Sequence, residues 1–414
     1  MTIPGRIPPD SMPDTVLVRV HARTDVGRSR EHNEDAYLVA DLTTGLSTLT
    51  SELATHAVGG RGTVLMVADG LGGAAAGEVA SRLAVDTVLD TLRAHTAGVS
   101  VMEAERFARG LRLAAEQANA RIHAYAHDNP EHRGLGTTAT IAGILGDHVY
   151  VAQVGDSRAY LVRNGVARQI TKDQSLTQRL VDVGELTPEE AERSERRNII
   201  LQALGPEPLV KIDLTHQQLN RGDTLILCTD GLSGLLSPER IAELVSMHSD
   251  LDALCDALVD EANARGGPDN ITVVAARVDG PGLAPAGNGD AVGHHVLRLP
   301  GDEPGSAELL AQRRAERDRE KRDGAAGGAR RGARSGDATD AHRPDLMSCL
   351  LLALLVTSLL AATIVFVVRR VRGSGEAAHA PSAAAPAHTA DSARAPAAAH
   401  GADTPTPPPR AQQP

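Results

Sequence analysis

Three apolar runs in this chain end on an aspartate followed by glycine or serine: VLMVADG at 64–70, VYVAQVGDS at 149–157 and TLILCTDG at 224–231. Runs of this length and apolarity read as buried strands. A carboxylate is therefore delivered repeatedly to the end of a core element. Asp-Gly alone is a hairpin signal, and a hairpin would start a second strand within two or three residues. After Gly73 comes instead AAAGEVASRLAVDTVLDTL, with apolar residues at helical spacing. Asp69 is accordingly expected at a strand-to-helix junction.

Strands and helices alternate from about 15 to 279. TVLVRVHARTD reads as a strand, followed by a polar loop around Glu31, and 43–62 as a loop-like insertion. Helical patterns cover 76–95 and 102–128. The stretch 137–171 reads as three or four strands with hairpin turns at Gly146-Asp147 and Asn164-Gly165. Short helical pieces are expected at 176–183 and 188–193 and longer helices at 238–247 and 250–265, with DNITVVAARV as the closing strand.

Outside that block the composition changes. Residues 1–14 form a Pro-rich leader without the apolar core of a signal peptide. Residues 280–345 are Gly-, Ala-, Pro- and Arg-rich and read as a disordered linker, with a possible short charged helix near 306–322. Residues 346–368 carry no charge, a length that spans a bilayer with some tilt, and 369–414 form an Ala/Pro-rich tail. The greater excess of basic residues precedes the apolar segment. That balance predicts a single-pass inner-membrane protein with residues 1–345 cytoplasmic.

A net charge of −11 and the absence of Trp argue against a nucleic-acid partner. Cys228, Cys255 and Cys349 have no CxxC or His-paired spacing and read as small apolar fillers in a reducing compartment.

The strand-end aspartates have company. Asp269 precedes a strand in GGPDNITVV, and Glu34 and Asp35 adjoin in REHNEDAY. Singly, each has an ordinary explanation, because Asp favours turns and helix caps. Jointly, Asp69, Asp156, Asp230 and Asp269 would repel one another if gathered, and a hard divalent cation resolves that repulsion. Oxygen-only donors suit Mg²⁺ or Mn²⁺ rather than zinc. Only His32 adjoins these carboxylates, and it reads as an exposed loop residue.

The series RTDVGRSREHNEDAY, VLMVADGLGGAAAGEVAS, GTTAT, VAQVGDSRAYL, TLILCTDGLSGLL and GPDNITVV resembles, in order and spacing, the motifs of the protein phosphatase 2C family, in its bacterial, membrane-anchored form. The resemblance covers residues 15–279. It implies an α+β fold, a four-layer α-β-β-α sandwich of two antiparallel sheets flanked by helices, here followed by one C-terminal transmembrane helix. It also implies a metal-dependent protein serine/threonine phosphatase that uses a metal-bridging hydroxide and opposes Ser/Thr kinases. Asp69, Asp230 and Asp269 would bind one Mn²⁺ or Mg²⁺. Asp69 and the Gly70 carbonyl would hold a second, with Glu34 direct or through water and Asp35 behind. Asp156 with Asp230 would form a third, weaker position. Arg30 matches the phosphate-binding arginine, whose fork suits two phosphoryl oxygens. The implied partners are phosphorylated Ser/Thr proteins, their kinases and the membrane, and the expected state is monomeric.

The chain departs from the pattern at several places. Leu71 and Ala74 stand where relatives carry histidine, Gln174 where histidine is common, and Ser194-Glu195 where His-Pro is usual. The last two fall in 173–205, which resembles the mobile flap beside the active site. Two other readings stay open. One is a weakly catalytic phosphoprotein-binding scaffold, which would not need every carboxylate. The other is a metal-dependent phosphodiesterase or nuclease, which would call for a basic groove and stacking residues absent here.

Overall fold

The computed structural model describes residues 15–47, 51–72, 76–132, 134–285 and 291–302. In chain order they form β1 (Leu17–Asp25), β2 (Ala36–Asp41), α1 (Ser51–Ala54), β3 (Thr55–Ala57), β4 (Thr63–Ala68), β5 (Gly70–Leu71), α2 (Ala76–Thr96) and α3 (Ala104–Asp128). Next come β6 (Gly136–Thr137), β7 (Ala139–Leu145), β8 (His148–Val154), β9 (Arg158–Arg163), β10 (Val166–Gln169), α4 (Leu176–Val183) and α5 (Pro188–Glu192). The series ends with β11 (Asp213–Gln218), β12 (Thr224–Cys228), α6 (Asp230–Ser233), α7 (Pro238–Met247), α8 (Leu251–Ala264) and β13 (Ile271–Asp279).

The strands build two antiparallel sheets, one in the order β10-β9-β12-β13-β1-β3 and the other β11-β8-β7-β4-β2. Continuous apolar runs suit strands covered on both faces, because alternate side chains then enter different cores. In β4, Val64, Met66 and Ala68 face the core beneath α2 and α3, while Leu65 and Val67 enter the core between the sheets. In β12, Leu225 and Leu227 join that central core, and Ile226 and Cys228 face α6–α8. The result is the expected α-β-β-α layering. Cys228 and Cys255 are buried, unpaired members of the outer core, as fillers should be.

Antiparallel pairing returns every second strand end to the same face. The ends of β4, β8 and β12 therefore meet the starts of β2, β9 and β13 at one end of the sandwich. Between β8 and β9 the chain crosses from one sheet to the other through Gly155, at φ +96°, and Asp156. A Cβ on Gly155 would lie 2.6 Å from the Thr138 methyl, so the crossover needs glycine for both its conformation and its space.

Three expectations change. The 43–62 stretch contains α1 and β3, and β3 pairs with β1 as an edge strand. Asp69 does not lead straight into a helix, because the two-residue β5 follows it and pairs with β6. Period and propensity are too weak a signal for a strand of two residues. The third change lies at 280–302, expected to be linker. Leu283 is buried in the central core, and His216 N donates to His295 O at 3.0 Å while Leu297 N donates to Leu214 O at 2.8 Å. Leu299 is 4% exposed in the α2/α3 core, and Arg112 grips both Asp302 oxygens at 2.6 and 2.7 Å. Residues 291–302 thus lie as a strap along β11. The expected leader 1–14, the charged helix near 306–322, the apolar segment 346–368 and the tail 369–414 lie outside the described residues. Among the described residues, no helix is long and apolar enough to cross a membrane.

The strap yields a stability test. Hydrogen bonding to Arg112 holds the Asp302 carboxyl down to about 2, below the usual range. Its contribution is then fully present above about pH 4 and fades as the pH falls toward 2. A chain ending at residue 285 loses this pair and the burial of Leu299, roughly 3 kcal/mol together. Its Tm should lie about 6–12 °C below that of a chain ending at residue 302. Asp302→Asn should lower Tm at pH 7 and approach the wild type as the pH falls from 4 toward 2. Equal melting of the two truncations would mean that the strap does not belong to the fold.

Candidate active site

Asp69 is held through its backbone. Its N–H donates to Thr138 Oγ1 at 2.9 Å, and its carbonyl accepts from Thr138 N at 2.9 Å and Thr137 Oγ1 at 2.8 Å. The carboxyl is left free to face the strand ends. Beyond it, β5 runs so close to α2 that a Cβ on Gly70 would sit 2.3 Å from Gly77 O and 2.5 Å from Glu34 O. Gly77 is equally constrained, since its Cβ would meet Glu34 Cδ at 2.9 Å. Glu34 thereby lodges against Gly70 and accepts a hydrogen bond from Gly77 N–H, near the start of α2.

Asp35 lies beneath this group. Thr229 Oγ1 donates to its Oδ2 at 2.8 Å, and Thr229 and Thr272 are themselves tied, with Thr272 N donating to Thr229 Oγ1 at 3.0 Å. Asp230 opens α6 directly after that threonine and comes close enough to Asp69 to hydrogen-bond it. Asp269 enters just ahead of β13, and Arg30 Nη2 donates to its Oδ2 at 2.8 Å. Asp156 arrives from the sheet crossover with 6% of its surface exposed. Arg30, Glu34, Asp35, Asp69, Gly70, Asp156, Asp230 and Asp269 therefore come to one end of the sandwich, and none of the predicted set is left elsewhere. Leu71 sits half-buried on β5, whereas Ala74 lies outside the described residues.

Electrostatics show what gathering these groups costs. Burial, reinforced by Asp35, Asp230, Asp156 and Asp269, holds the Asp69 carboxyl well above the usual range. Burial pushes Asp156 up to about 8, with Asp230 and Asp173 adding to the effect. Asp35 rises to about 7 for the same leading reason, and Asp230 rises through burial and Asp269. Asp156 Oδ1 and Asp230 Oδ1 are buried without a hydrogen-bond partner. Buried polar atoms rarely stand so.

These observations fit divalent cations. The donors are all oxygen, two have free lone pairs, and of the gathered carboxylates only Asp269 has an ion-pair partner among the described residues, Arg30. No three His, Cys, Asp or Glu side chains among the described residues close into a finished cage. Histidines contribute nothing here. His123 and His127, four apart on α3, are engaged with the Gly205 carbonyl and Asp128 respectively.

A cleft of about 800 Å³ opens from the carboxylates, with Arg30, Asp156, Asp230 and Asp269 on one wall and Arg193 and Arg197 of the flap on another. Some residues that shape the site carried no assigned role in the sequence. Asn270 is the foremost. Its Oδ1 accepts from Glu34 N, and its Nδ2 donates to Val26 O and His32 O, all at 2.9 Å. One side chain thus holds the loop that carries Arg30, Glu34 and Asp35. Its position beside Asp269 in the PDN motif was the available signal, but its partners lie more than two hundred positions away.

A family model for protein phosphatase 2C matches residues 52–266. The chain belongs to the protein phosphatase 2C family. It is 36% identical over 257 residues to the serine/threonine phosphatase stp of Listeria monocytogenes, covering 62% of this chain and 94% of that one. It is also 36% identical over 308 residues to the serine/threonine protein phosphatase PstP of Mycobacterium tuberculosis, covering 72% of this chain and 53% of that one. A solved structure of the catalytic domain of PstP in complex with two manganese ions superposes with a TM-score of 0.52 at 35% identity, covering 64% of this chain and all of that one.

Carboxyls that titrate higher when folded bind more protons than the unfolded chain does between about pH 4 and pH 8. Without divalent ions, stability should therefore fall as pH rises through that window. Asp230→Asn removes one repelling charge, so in EDTA at pH 8 it should melt above the wild type. Added Mn²⁺ should reverse the order. A mutant less stable than the wild type in EDTA at every pH would contradict the repulsion described here.

Proposed function

We propose that this chain is a metal-dependent protein serine/threonine phosphatase that hydrolyses phosphoserine and phosphothreonine in proteins, opposing Ser/Thr kinases. The observation that carries this reading is the gathering of Asp69, Asp156, Asp230 and Asp269, with two orphan carboxylate oxygens, beside a half-exposed arginine at the mouth of a cleft. Family membership supports it.

In this reading Asp69 would be shared between two Mn²⁺ or Mg²⁺ ions, one completed by Asp230 and Asp269, the other by the Gly70 carbonyl and Glu34. Asp35 stands behind them, and Asp156 serves a third, weaker position. When bound, such ions polarise water and neutralise charge on a phosphoryl group. The chain's own contribution is placement. Thr137 and Thr138 fix the backbone of Asp69, Thr229 and Thr272 orient Asp35, and Asn270 fixes the Arg30–Asp35 loop. Arg30 gives one N–H to Asp269 and keeps the rest of its fork for phosphoryl oxygens. Leu71 offers no proton, so the leaving alkoxide is not protonated from that position.

We also place the enzyme at the membrane, through the uncharged segment 346–368, with the catalytic domain on the cytoplasmic side. The basic residues ahead of the segment support this orientation. Recovery of the full chain in the soluble fraction of lysed cells would remove that part of the proposal.

The deciding experiment measures phosphate release from a phosphothreonine peptide by the full chain. Release should require Mn²⁺, stop in EDTA, and fall by on the order of 10²–10³-fold in Asp230→Asn. Binding of the peptide without release at any Mn²⁺ concentration would leave a phosphoprotein-binding scaffold instead. Arg30→Lys keeps the charge but loses the fork, so KM should rise about tenfold while kcat changes less. A fall in kcat alone would place Arg30 outside substrate binding.

A further inference from the structure

Within the flap, 173–205, the stretch 175–200 walls the cleft, and the chain enters and leaves that stretch through contacts with one residue, Gln174. Gln174 N donates to Gly155 O at 2.9 Å, and Gly155 N donates back to Gln174 Oε1 at 2.9 Å. At the far end of the flap, Leu201 N donates to Gln174 O at 2.8 Å. The other end of the side-chain amide, Nε2, donates to Asp213 Oδ2 at 2.9 Å and to Lys211 O at 3.3 Å, where β11 begins. One glutamine therefore joins the sheet crossover, both ends of the flap and the start of an edge strand.

What it grips is the turn that delivers Asp156. Gly155 has a conformation that other residues rarely adopt, and its neighbour Gln153 donates from Nε2 to Gly155 O at 3.2 Å and to Ser157 O at 2.7 Å. The turn's inner side is thus secured by Gln153, and its outer side by Gln174. Asp156 follows immediately, buried, with an oxygen that has no partner.

We propose that Gln174 is a positioning residue for Asp156, an amide clasp through which the placement of that carboxylate and the seating of the flap against the cleft depend on the same hydrogen bonds. The relevance of Asp156 to the reaction rests on the phosphatase reading above; the clasp itself does not. Glutamine suits the task because its amide accepts from Gly155 N–H and donates to Asp213 at once, at any pH. A neutral histidine also has one acceptor and one donor, but an imidazolium has only donors.

The test compares the full chain with Gln174→Ala and Gln174→His. Amide exchange is followed first, without metal or substrate. Gln174→Ala should speed exchange at Gly155 N–H and across residues 175–201 by about tenfold or more, about 1.4 kcal/mol or more of lost protection, with β4 and β13 unchanged. In Mn²⁺ titrations followed by calorimetry, the weakest binding step should weaken by about tenfold while tighter steps stay within twofold. Gln174→His should restore wild-type exchange at pH 8.5 and resemble Gln174→Ala at pH 5.5, each compared with wild type at the same pH. The groups that would set that histidine's titration are Asp213, its ion-pair partner Lys211, His294, which lies near Asp213, and Asp156 across the turn.

Unchanged exchange in Gln174→Ala, or exchange raised equally over the whole domain, would overturn the clasp. So would a Gln174→His chain that behaves alike at both pH values. Because the exchange arm uses neither metal nor substrate, its failure is distinct from an absence of phosphate release by the wild type, which would overturn only the enzymatic reading.

Discussion

The Asp69 carboxyl is buried against the charge of Asp230, and Asp35, Asp156 and Asp269 bring further negative charge to the same space. Two carboxylates approach in this way only with a proton or a cation between them. Every other feature of this end of the sandwich accommodates that repulsion. The backbone of Asp69 is tied by Thr137 and Thr138, Asp35 is pinned by threonine hydroxyls, and Asp156 hangs from a glycine turn secured on both sides. Neutral hydrogen-bond donors can hold a carboxylate in place without cancelling its charge. A lysine in the same positions would relieve the strain and remove the reason to bind a divalent ion.

Much of this was legible in the chain itself. Apolar runs buried on both faces identify β4, β8 and β12, and their terminal aspartates need no structure to be noticed. The hairpin turns also read correctly, with Asn164 and Gly165 both at positive φ between β9 and β10. Other features were beyond local reading. β5 and β6 have two residues each, and only their pairing with each other, Gly70 with Thr137 and Leu71 with Gly136, makes them strands. Asn270 looks like a loop polar residue until Val26, His32 and Glu34 arrive around it. The strap at 291–302 is Gly- and His-containing chain whose few leucines show no period. It is ordered by the free edge of β11 and by Arg112, neither of which is nearby in sequence.

The strap and the flap occupy the same side of the molecule. Both approach the start of β11: the flap through Gln174 and Asp213, the strap through Leu297 on Leu214 and through His294 near Asp213. An edge strand exposes unpaired backbone groups that invite further pairing. Here the strap satisfies part of that edge with the protein's own chain. The edge strand that receives the flap's anchor is thereby braced from its other side, so the catalytic fold extends through Asp302 rather than ending at Asp279.

The arginines around the cleft leave most of the acidic cluster unpaired. Arg158 stands nearest to Asp156 in sequence, yet its guanidinium is spent on Asp173, with Nε and Nη2 contacts of 2.7–3.1 Å, and on the Tyr160 hydroxyl. It lowers the Asp156 carboxyl only slightly against burial, which still lifts it to about 8. Arg163 is committed in the same way to Asp223 at the opposite end of the strands. Arg30 alone among these reaches the cluster directly, through one contact to Asp269, and it remains half exposed. The chain thus separates two uses of arginine. Arg158 and Arg163 brace the sandwich and are paired within it, whereas Arg30 at the cleft is held by a single hydrogen bond. A single bond of that kind is weak enough in a solvated setting to be exchanged for two to an incoming phosphoryl group.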